Sequence, residues 1–293
     1  MFEKVWVKMI NIKVDEYWND HTVKADHLKN RKSSQNYRKL RLNNTPLHKE
    51  FMELDSLHNN EIILDYGCGP GNDIVNFITY SNAKKIIGID VSEKALNFAK
   101  RQISLYDTNI PIEFIKITNN TTIIPLESNS VDYIICSGVL HHINNPLLIL
   151  KEFFRILKVG SYIHIMVYNY NSIYYHIYIA YRKKGGFKGH NIDIIFNRNT
   201  DGENCPISRA YKPKEFTKIC NSIGFETEYI GGYLSDIDSA RFFNIHKQPV
   251  LDHDEIVDEH KDFVRNVRFD SDNYPTYQGK HCGIGGTYKL YKR

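Results

Sequence analysis

The segment Glu61–Asn72, reading E-I-I-L-D-Y-G-C-G-P-G-N, constrains this chain more than any other. Ile62, Ile63 and Leu64 form an apolar run that reads as a buried strand. Asp65 ends it, and Gly67, Gly69 and Gly71 follow at alternate positions. A turn lacking Cβ at three places lets a ligand lie against the backbone. The segment from Ile74, I-V-N-F-I-T-Y, then continues as a helix whose first free N–H groups face the same ligand. Many strand–helix junctions need glycine for backbone reasons alone, so this turn fixes a local fold before it fixes a function.

The next strand narrows the choice. It runs from Lys85 to Val91, K-I-I-G-I-D-V, and Ser92 is placed to cap a helix through E-K-A-L-N-F-A-K. An acidic residue at the end of the second strand of a βαβ unit, here Asp90, suits the ribose hydroxyls of a nucleoside. The dinucleotide fingerprint G-x-G-x-x-G would need glycine at Asn72, so a nicotinamide cofactor fits poorly. In order and spacing, D-Y-G-C-G-P-G followed by I-G-I-D-V-S resembles the class I S-adenosylmethionine-dependent methyltransferases. Within them it is most similar to the ubiquinone-biosynthesis-like group, which acts mostly on small molecules. The resemblance spans about 60–167, and more loosely 213–233 and the last strand.

That resemblance implies an α/β fold: a doubly wound, seven-stranded, Rossmann-like sheet whose last strand is antiparallel. It implies S-adenosylmethionine as cofactor. The third strand is expected over Ile112–Thr118, and the loop after it commonly carries an acidic residue for the adenine amino group. Here that place holds Asn120, beside Asn119, whose side-chain carbonyls can still accept. The fourth strand, Val131–Cys136, leads to S-G-V-L-H-H. A helix follows with Asn145 as cap and Pro146 at its first position, and Gly160 is expected to stop it. The fifth strand covers Tyr162–Val167. In open α/β sheets a ligand sits outside the carboxyl ends of the strands, where Asp65, Asp90, Asn120, Ser137 and Tyr168 all fall. The expected cofactor contacts are therefore Asp65, Gly67, Cys68, Gly69, Gly71 and Asn72 from the first turn. Asp90, Val91, Asn119, Asn120, Ser137 and Gly138 come from the later ones. The Cys68 and Cys136 side chains read as small packing residues.

The outer parts of the chain read differently. Residues 1–50 are polar and basic, with Trp6, Tyr17, Trp18 and Tyr37, and suit short helices forming a cap. Their Lys and Arg residues read first as a solvated face, then as a lid over the cofactor. A helix L-H-K-E-F-M-E-L-D precedes the first strand. Residues 51–293 form the methyltransferase domain, interrupted by insertions at 169–212 and 231–283. The first insertion carries a tyrosine stripe, Tyr170, Tyr174, Tyr175, Tyr178 and Tyr181, then R-K-K-G-G-F-K-G-H. The second contains D-H-D-E-I-V-D-E-H-K-D-F-V, which suits a short amphipathic helix.

Methyl transfer from a sulfonium is an in-line displacement, so the protein chiefly has to align the reactants. His142 is the first candidate for a base or acceptor contact and Tyr168 the second. Tyr175, Arg209 and Tyr211 are candidates for binding substrate. No metal-ligand spacing presents itself, and none of the five cysteines stands in a C-x-x-C. The expected acceptor is oxygen or nitrogen of a small polar metabolite, anionic ones included. The mild net charge of +4 and the lack of a recognisable RNA-binding module leave an RNA acceptor, or a catalytically silent partner domain, as rivals. With 42% hydrophobic residues, no apolar run near the roughly 20 that span a bilayer, and no signal-peptide pattern, the chain is expected in the cytoplasm.

Overall fold

Five strands run parallel, and the central ones are near-continuous apolar runs that alternate their side chains between two buried faces. The computed structural model describes residues 14–22, 29–178, 192–202 and 205–293. The strands are β1 (Ile62–Tyr66), β2 (Lys85–Asp90), β3 (Ile112–Lys116), β4 (Val131–Ser137) and β5 (Leu157–Asn169). Further strands are β6 (Ala210–Tyr211), β7 (Glu226–Tyr233), the short β8 (Arg268–Phe269), β9 (Pro275–Tyr277) and β10 (Lys280–His281), and β11 (Gly285–Tyr291). The main sheet has the order β3-β2-β1-β4-β5-β11-β7. β11 is antiparallel to both its neighbours. These are the seven strands expected; the two-residue β6 adds an eighth, parallel to the end of β5 at Tyr168 and Asn169.

The helices are α1 (14–20), α2 (Arg31–Asn44), α3 (His48–Phe51), α4 (Asn72–Tyr80), α5 (Glu93–Ile103), α6 (Pro146–Ile156), α7 (Ile192–Thr200), α8 (Pro213–Ile223), α9 (Ala240–Leu251) and α10 (Asp258–Asn266). Ile63, Ile86 and Ile135 pack with Ile74, Phe77 and Leu96 of α4 and α5 on one face. Leu64, Ile87 and Ile134 pack with Leu150, Phe153 and Phe216 of α6 and α8 on the other. The chain leaves β1 toward β2 on one side and reaches β4 on the other, so the order reverses between β1 and β4. A crevice opens at that reversal, outside the carboxyl ends of the strands.

Several boundaries differ from expectation. Gly160 does not stop α6. Leu157 pairs with Val131, drawing the chain into β5 directly after Ile156, and Gly160 lies inside the strand at φ +84°. The helix expected over 47–55 shrinks to α3, because Glu53 takes a left-handed φ of +47°. The second insertion begins after Tyr233, which pairs with Gly285, so β7 and β11 are both longer than expected. The amphipathic segment forms α10, from Asp258 rather than Asp252.

The two insertions pack against each other. Ile173 and Ile177 of the first share one apolar cluster with Phe243, Val250, Phe263 and Val264 of the second. Of the tyrosine stripe, Tyr174 and Tyr175 are buried with Ile195 and Phe196, and Tyr170 and Tyr178 pack on them. Trp6, Tyr181 and the R-K-K-G-G-F-K-G-H run lie outside the described residues. On α2 Arg41 turns inward and pairs with Asp73 at 2.5 Å, while Arg31 and Arg38 lie over the Tyr106 and Tyr80 rings and Arg31, Lys32 and Lys39 stay exposed. Among the described residues no helix is long and apolar enough to cross a membrane.

Candidate active site

The crevice holds a cavity of about 190 Å³. Its floor is the glycine turn. Gly67 and Cys68 both donate their N–H to the Ile89 carbonyl, at 2.7 and 3.0 Å, which ties the turn to the end of β2. Gly69 donates to one oxygen of Asp90 and Ser92 to the other, each at 2.8 Å. Ser92 in turn caps α5 by accepting from the Ala95 N–H at 3.1 Å. Asp90 therefore braces the turn as well as facing the cavity. Burial raises its pKa, and the N–H bonds from Ser92 and Gly69 work against that rise.

The three glycines have three different reasons. At Gly67 (φ +78°) a Cβ would stand 2.2 Å from a methyl of Val139. At Gly71 (φ +83°) it would stand 3.2 Å from Ala99, so this glycine lets α4 approach α5. At Gly69 (φ +52°) no atom lies within 4 Å of a Cβ, and the open space is the cavity.

Of the residues expected to touch a cofactor, Gly67, Gly69, Asp90, Val91, Asn119, Ser137 and Gly138 line the cavity. Five do not. Asp65 is buried beneath the turn, where burial, and then Asp73 and Asp90, raise its pKa strongly; one of its oxygens has no partner among the described residues. The Cys68 side chain packs into the core beside Gly88. Gly71 is turned to α5, and the Asn72 side chain accepts from Gln102 at 3.5 Å. Asn120 is exposed on the turn after Asn119.

The roof comes from outside the sheet. Val14, Trp18 and Thr22 line the cavity, and Asp15 accepts the Asn119 N–H at 2.8 Å. Trp18 lies against His142, ring centroids 4.7 Å apart. His142 also lines the cavity and is buried. Its Nδ1 lies 2.6 Å from the Ile207 carbonyl, which can only accept, so Nδ1 carries the proton and Nε2 the free electron pair. Nε2 lies 3.6 Å from Asp201 Oδ2. Burial lowers the His142 pKa, against the opposing pull of Asp201. Tyr168 stands behind the cavity wall, not on it: its ring stacks on His141 at 3.9 Å and its hydroxyl donates to both Asp201 oxygens at 2.9 and 3.0 Å. Burial raises its pKa well above the ordinary range.

The expected substrate residues are placed elsewhere. The Arg209 guanidinium donates to the Ile143 carbonyl at 2.6 Å and the Asn144 carbonyl at 3.5 Å, bracing the loop after His142. The Tyr211 ring packs on Phe216, and Tyr175 is buried against Tyr170 and Phe196. None of the three lines the cavity. Asp201 and Cys205 escaped the sequence reading because no local spacing links them to His142. Only the return of the first insertion to the end of β5 does so.

The model of a methyltransferase domain family matches residues 57–207, a little over half of the chain. The chain belongs to that methyltransferase family. The motifs and the sheet identify it as class I, the S-adenosylmethionine-dependent kind. A ubiquinone biosynthesis O-methyltransferase of Thiobacillus denitrificans is 24% identical over 58% of this methyltransferase and 66% of its own length. A demethylmenaquinone methyltransferase of Lactococcus lactis is 34% identical over 34% of this chain and 38% of its own. Several other curated relatives are matched over about a third of their length. Among solved structures, the YcgJ protein of Bacillus subtilis superposes with a TM-score of 0.56 at 16% identity, covering 84% of this chain and 99% of its own; the likeness is one of fold.

The methyltransferase cavity fits S-adenosylmethionine on its own terms. The open face at Gly69 is a cradle that a Cβ would fill, and Asp90 supplies a carboxylate at its edge. Val91 and Ile117 offer an apolar wall for a base, beside the polar Asn119.

Proposed function

We infer that this methyltransferase moves the methyl group of S-adenosylmethionine to an oxygen or nitrogen of a small polar metabolite. The observation that carries the reading is the cradle: Gly69 open at φ +52° with Asp90 beside it, under a roof that includes Trp18. When bound, S-adenosylmethionine supplies an activated methyl group and its own leaving group. The chain's part is to hold the acceptor in line and keep water out. Asp90 would accept from ribose hydroxyls, since each of its oxygens keeps a further lone pair beyond the N–H bond it now accepts. Val91, Ile117 and Asn119 would hold the base. Ser137 and Gly138 border the cavity at the end of β4.

His142 is the polar side chain on the acceptor's side of the wall. Tyr168 acts through Asp201, which it orients, and is a positioning residue. The cap formed by 14–22 and the first insertion would select the acceptor, while the sheet of residues 51–293 holds the cofactor. The neighbouring wall at Val14, Trp18, Ile143 and Ile149 is apolar, and Arg209 is committed to backbone carbonyls. This arrangement supports a small acceptor with one polar end more than a strongly anionic one.

The test is a thermal shift and a calorimetric titration with S-adenosylhomocysteine, the demethylated product. A ligand that binds only the folded state raises the melting temperature. A shift with this ligand and none with NAD is expected. A shift with NAD alone overturns the assignment.

A further inference from the structure

Three side chains that the cofactor cradle does not use meet at His142, which alone of them lines the cavity. His142 comes from the turn after β4, Asp201 from the end of α7, and Cys205 from the loop beyond it. Their ligand atoms all lie within 4.8 Å of one another, and both His142 and Cys205 are buried. We propose that His142, Asp201 and Cys205 form a site for a zinc-class divalent cation beside the cavity, behind the wall that His142 provides.

The geometry of His142 is the first argument. Its Nδ1–H is committed to the Ile207 carbonyl at 2.6 Å, so the electron pair on Nε2 faces the Asp201 carboxylate 3.6 Å away. Two electron-pair donors at that separation leave room for a cation between them, and the Cys205 sulfur lies 3.9 Å from Nδ1 on the same ring. Two ligands of one tetrahedral zinc, each bonded at about 2.0–2.2 Å, stand roughly 3.4 Å apart. The observed gap has that length.

The surroundings of the ligands are the second argument. A metal-binding histidine ordinarily donates its other ring N–H to a carbonyl or carboxylate, and a ligating carboxylate is itself hydrogen-bonded. Both conditions hold. Ile207 accepts from His142, while Tyr168 donates to both Asp201 oxygens and Ser208 donates to Oδ2 at 3.4 Å. Tyr17 donates to the Asp201 backbone carbonyl, fixing that residue from the α1 side. Cys205 supplies the soft ligand. Its Sγ lies 3.3 Å from the Ile207 carbonyl and would exchange its proton for the cation on binding.

One nitrogen, one oxygen and one sulfur suit zinc better than magnesium or calcium, which prefer oxygen throughout. Three protein ligands leave a fourth coordination place for water.

The test uses the full chain. Zinc content after exhaustive dialysis is measured by elemental analysis, and Co2+ is added to the metal-free protein as a spectroscopic probe. One equivalent of zinc is expected. The cobalt form should show the visible bands of a four-coordinate ion and a near-ultraviolet thiolate-to-cobalt band. Cys205→Ser should abolish the thiolate band, and Asp201→Asn should weaken cobalt binding about tenfold or more. If Cys205→Ser does not fold, Asp201→Asn and the wild-type spectrum still decide. Wild-type protein that retains no zinc and leaves the cobalt spectrum that of the hydrated ion overturns the proposal. Titration with S-adenosylhomocysteine separates the two readings. Normal binding without metal removes the cation site alone, and metal without nucleoside binding removes the methyltransferase reading alone.

Discussion

Alanine at Gly67 and at Gly69 should produce two different defects, although the residues are two apart in one turn. Both glycines are left-handed, at φ +78° and +52°. A Cβ in that region costs about 1–2 kcal/mol. At Gly67 the new methyl also meets Val139 at 2.2 Å, and a β-branched neighbour has few rotamers with which to yield. Overpacking of this kind adds about 1–3 kcal/mol. Gly67→Ala should therefore lose about 2–5 kcal/mol of stability, roughly 5–15 °C in Tm at about 3 °C per kcal/mol for a large domain. At Gly69 nothing lies within 4 Å, so only the backbone term applies and Tm should fall by roughly 3–6 °C. The methyl instead occupies the cradle. If a bound ligand must shift as a core does under overpacking, affinity should fall by about 1–3 kcal/mol, or about 5- to 150-fold. Thermal unfolding without ligand and calorimetry with S-adenosylhomocysteine read the two effects separately. A Gly69→Ala protein that binds like wild type would show that the ligand does not lie on this turn, and the argument from the cradle would fail.

Asp90→Ala should weaken S-adenosylhomocysteine by about 1.5–3 kcal/mol in calorimetry and also lower Tm, because the Gly69 and Ser92 N–H groups lose their acceptor. A variant that binds weakly at unchanged Tm would contradict the bracing role. Trp18→Ala should leave the sheet intact by circular dichroism while speeding ligand release in stopped-flow measurements, since Trp18 roofs the cavity. Unchanged release would place the roof elsewhere. Arg209→Ala should lower Tm by freeing the Ile143 and Asn144 carbonyls, with little change in cofactor affinity. A collapse of cofactor affinity with stability intact would move Arg209 into the cofactor site. Acid stability has a readable source in His164, whose pKa is lowered to about 4, chiefly by burial, with Lys289 and His58 acting the same way and Glu53 opposing. A depressed folded pKa means stability is fully present above the unfolded value of 6.5 and is lost as pH falls toward 4. Between pH 7 and 5 this histidine should account for about 2 kcal/mol, so urea titrations of His164→Gln should show a shallower loss by that amount. Equal slopes for both proteins would refute the attribution.

What was legible in the sequence was whatever depends on neighbours in the chain or stands in a motif. The Ser92 cap of α5, the Pro146 start of α6 and the Gly224 stop of α8 rest on contacts within a few residues, whereas the glycine turn and Asp90 were legible as a motif although their partners Val139, Ala99 and Gly69 are distant. The sheet order came through the resemblance, not through periodicity. What failed was what depends on distant packing. Gly160 looks like a helix stop until Leu157 is seen paired with Val131. Arg209 and Tyr211 look like ligands for an anion until the Ile143 carbonyl and the Phe216 ring are found beside them. The partner of His142, Asp201, lies 59 residues further along the chain and belongs to no motif, so only the folded insertion could reveal it.

A crystal structure of the protein with S-adenosylhomocysteine tests the central claim most directly. The account predicts the ribose hydroxyls on Asp90, the adenine between Val91 and Ile117 with Asn119 at its edge, and the chain passing over Gly69 toward His142. Nucleoside density anywhere other than this crevice, or a bound molecule that makes no contact with Asp90 and Gly69, would contradict it.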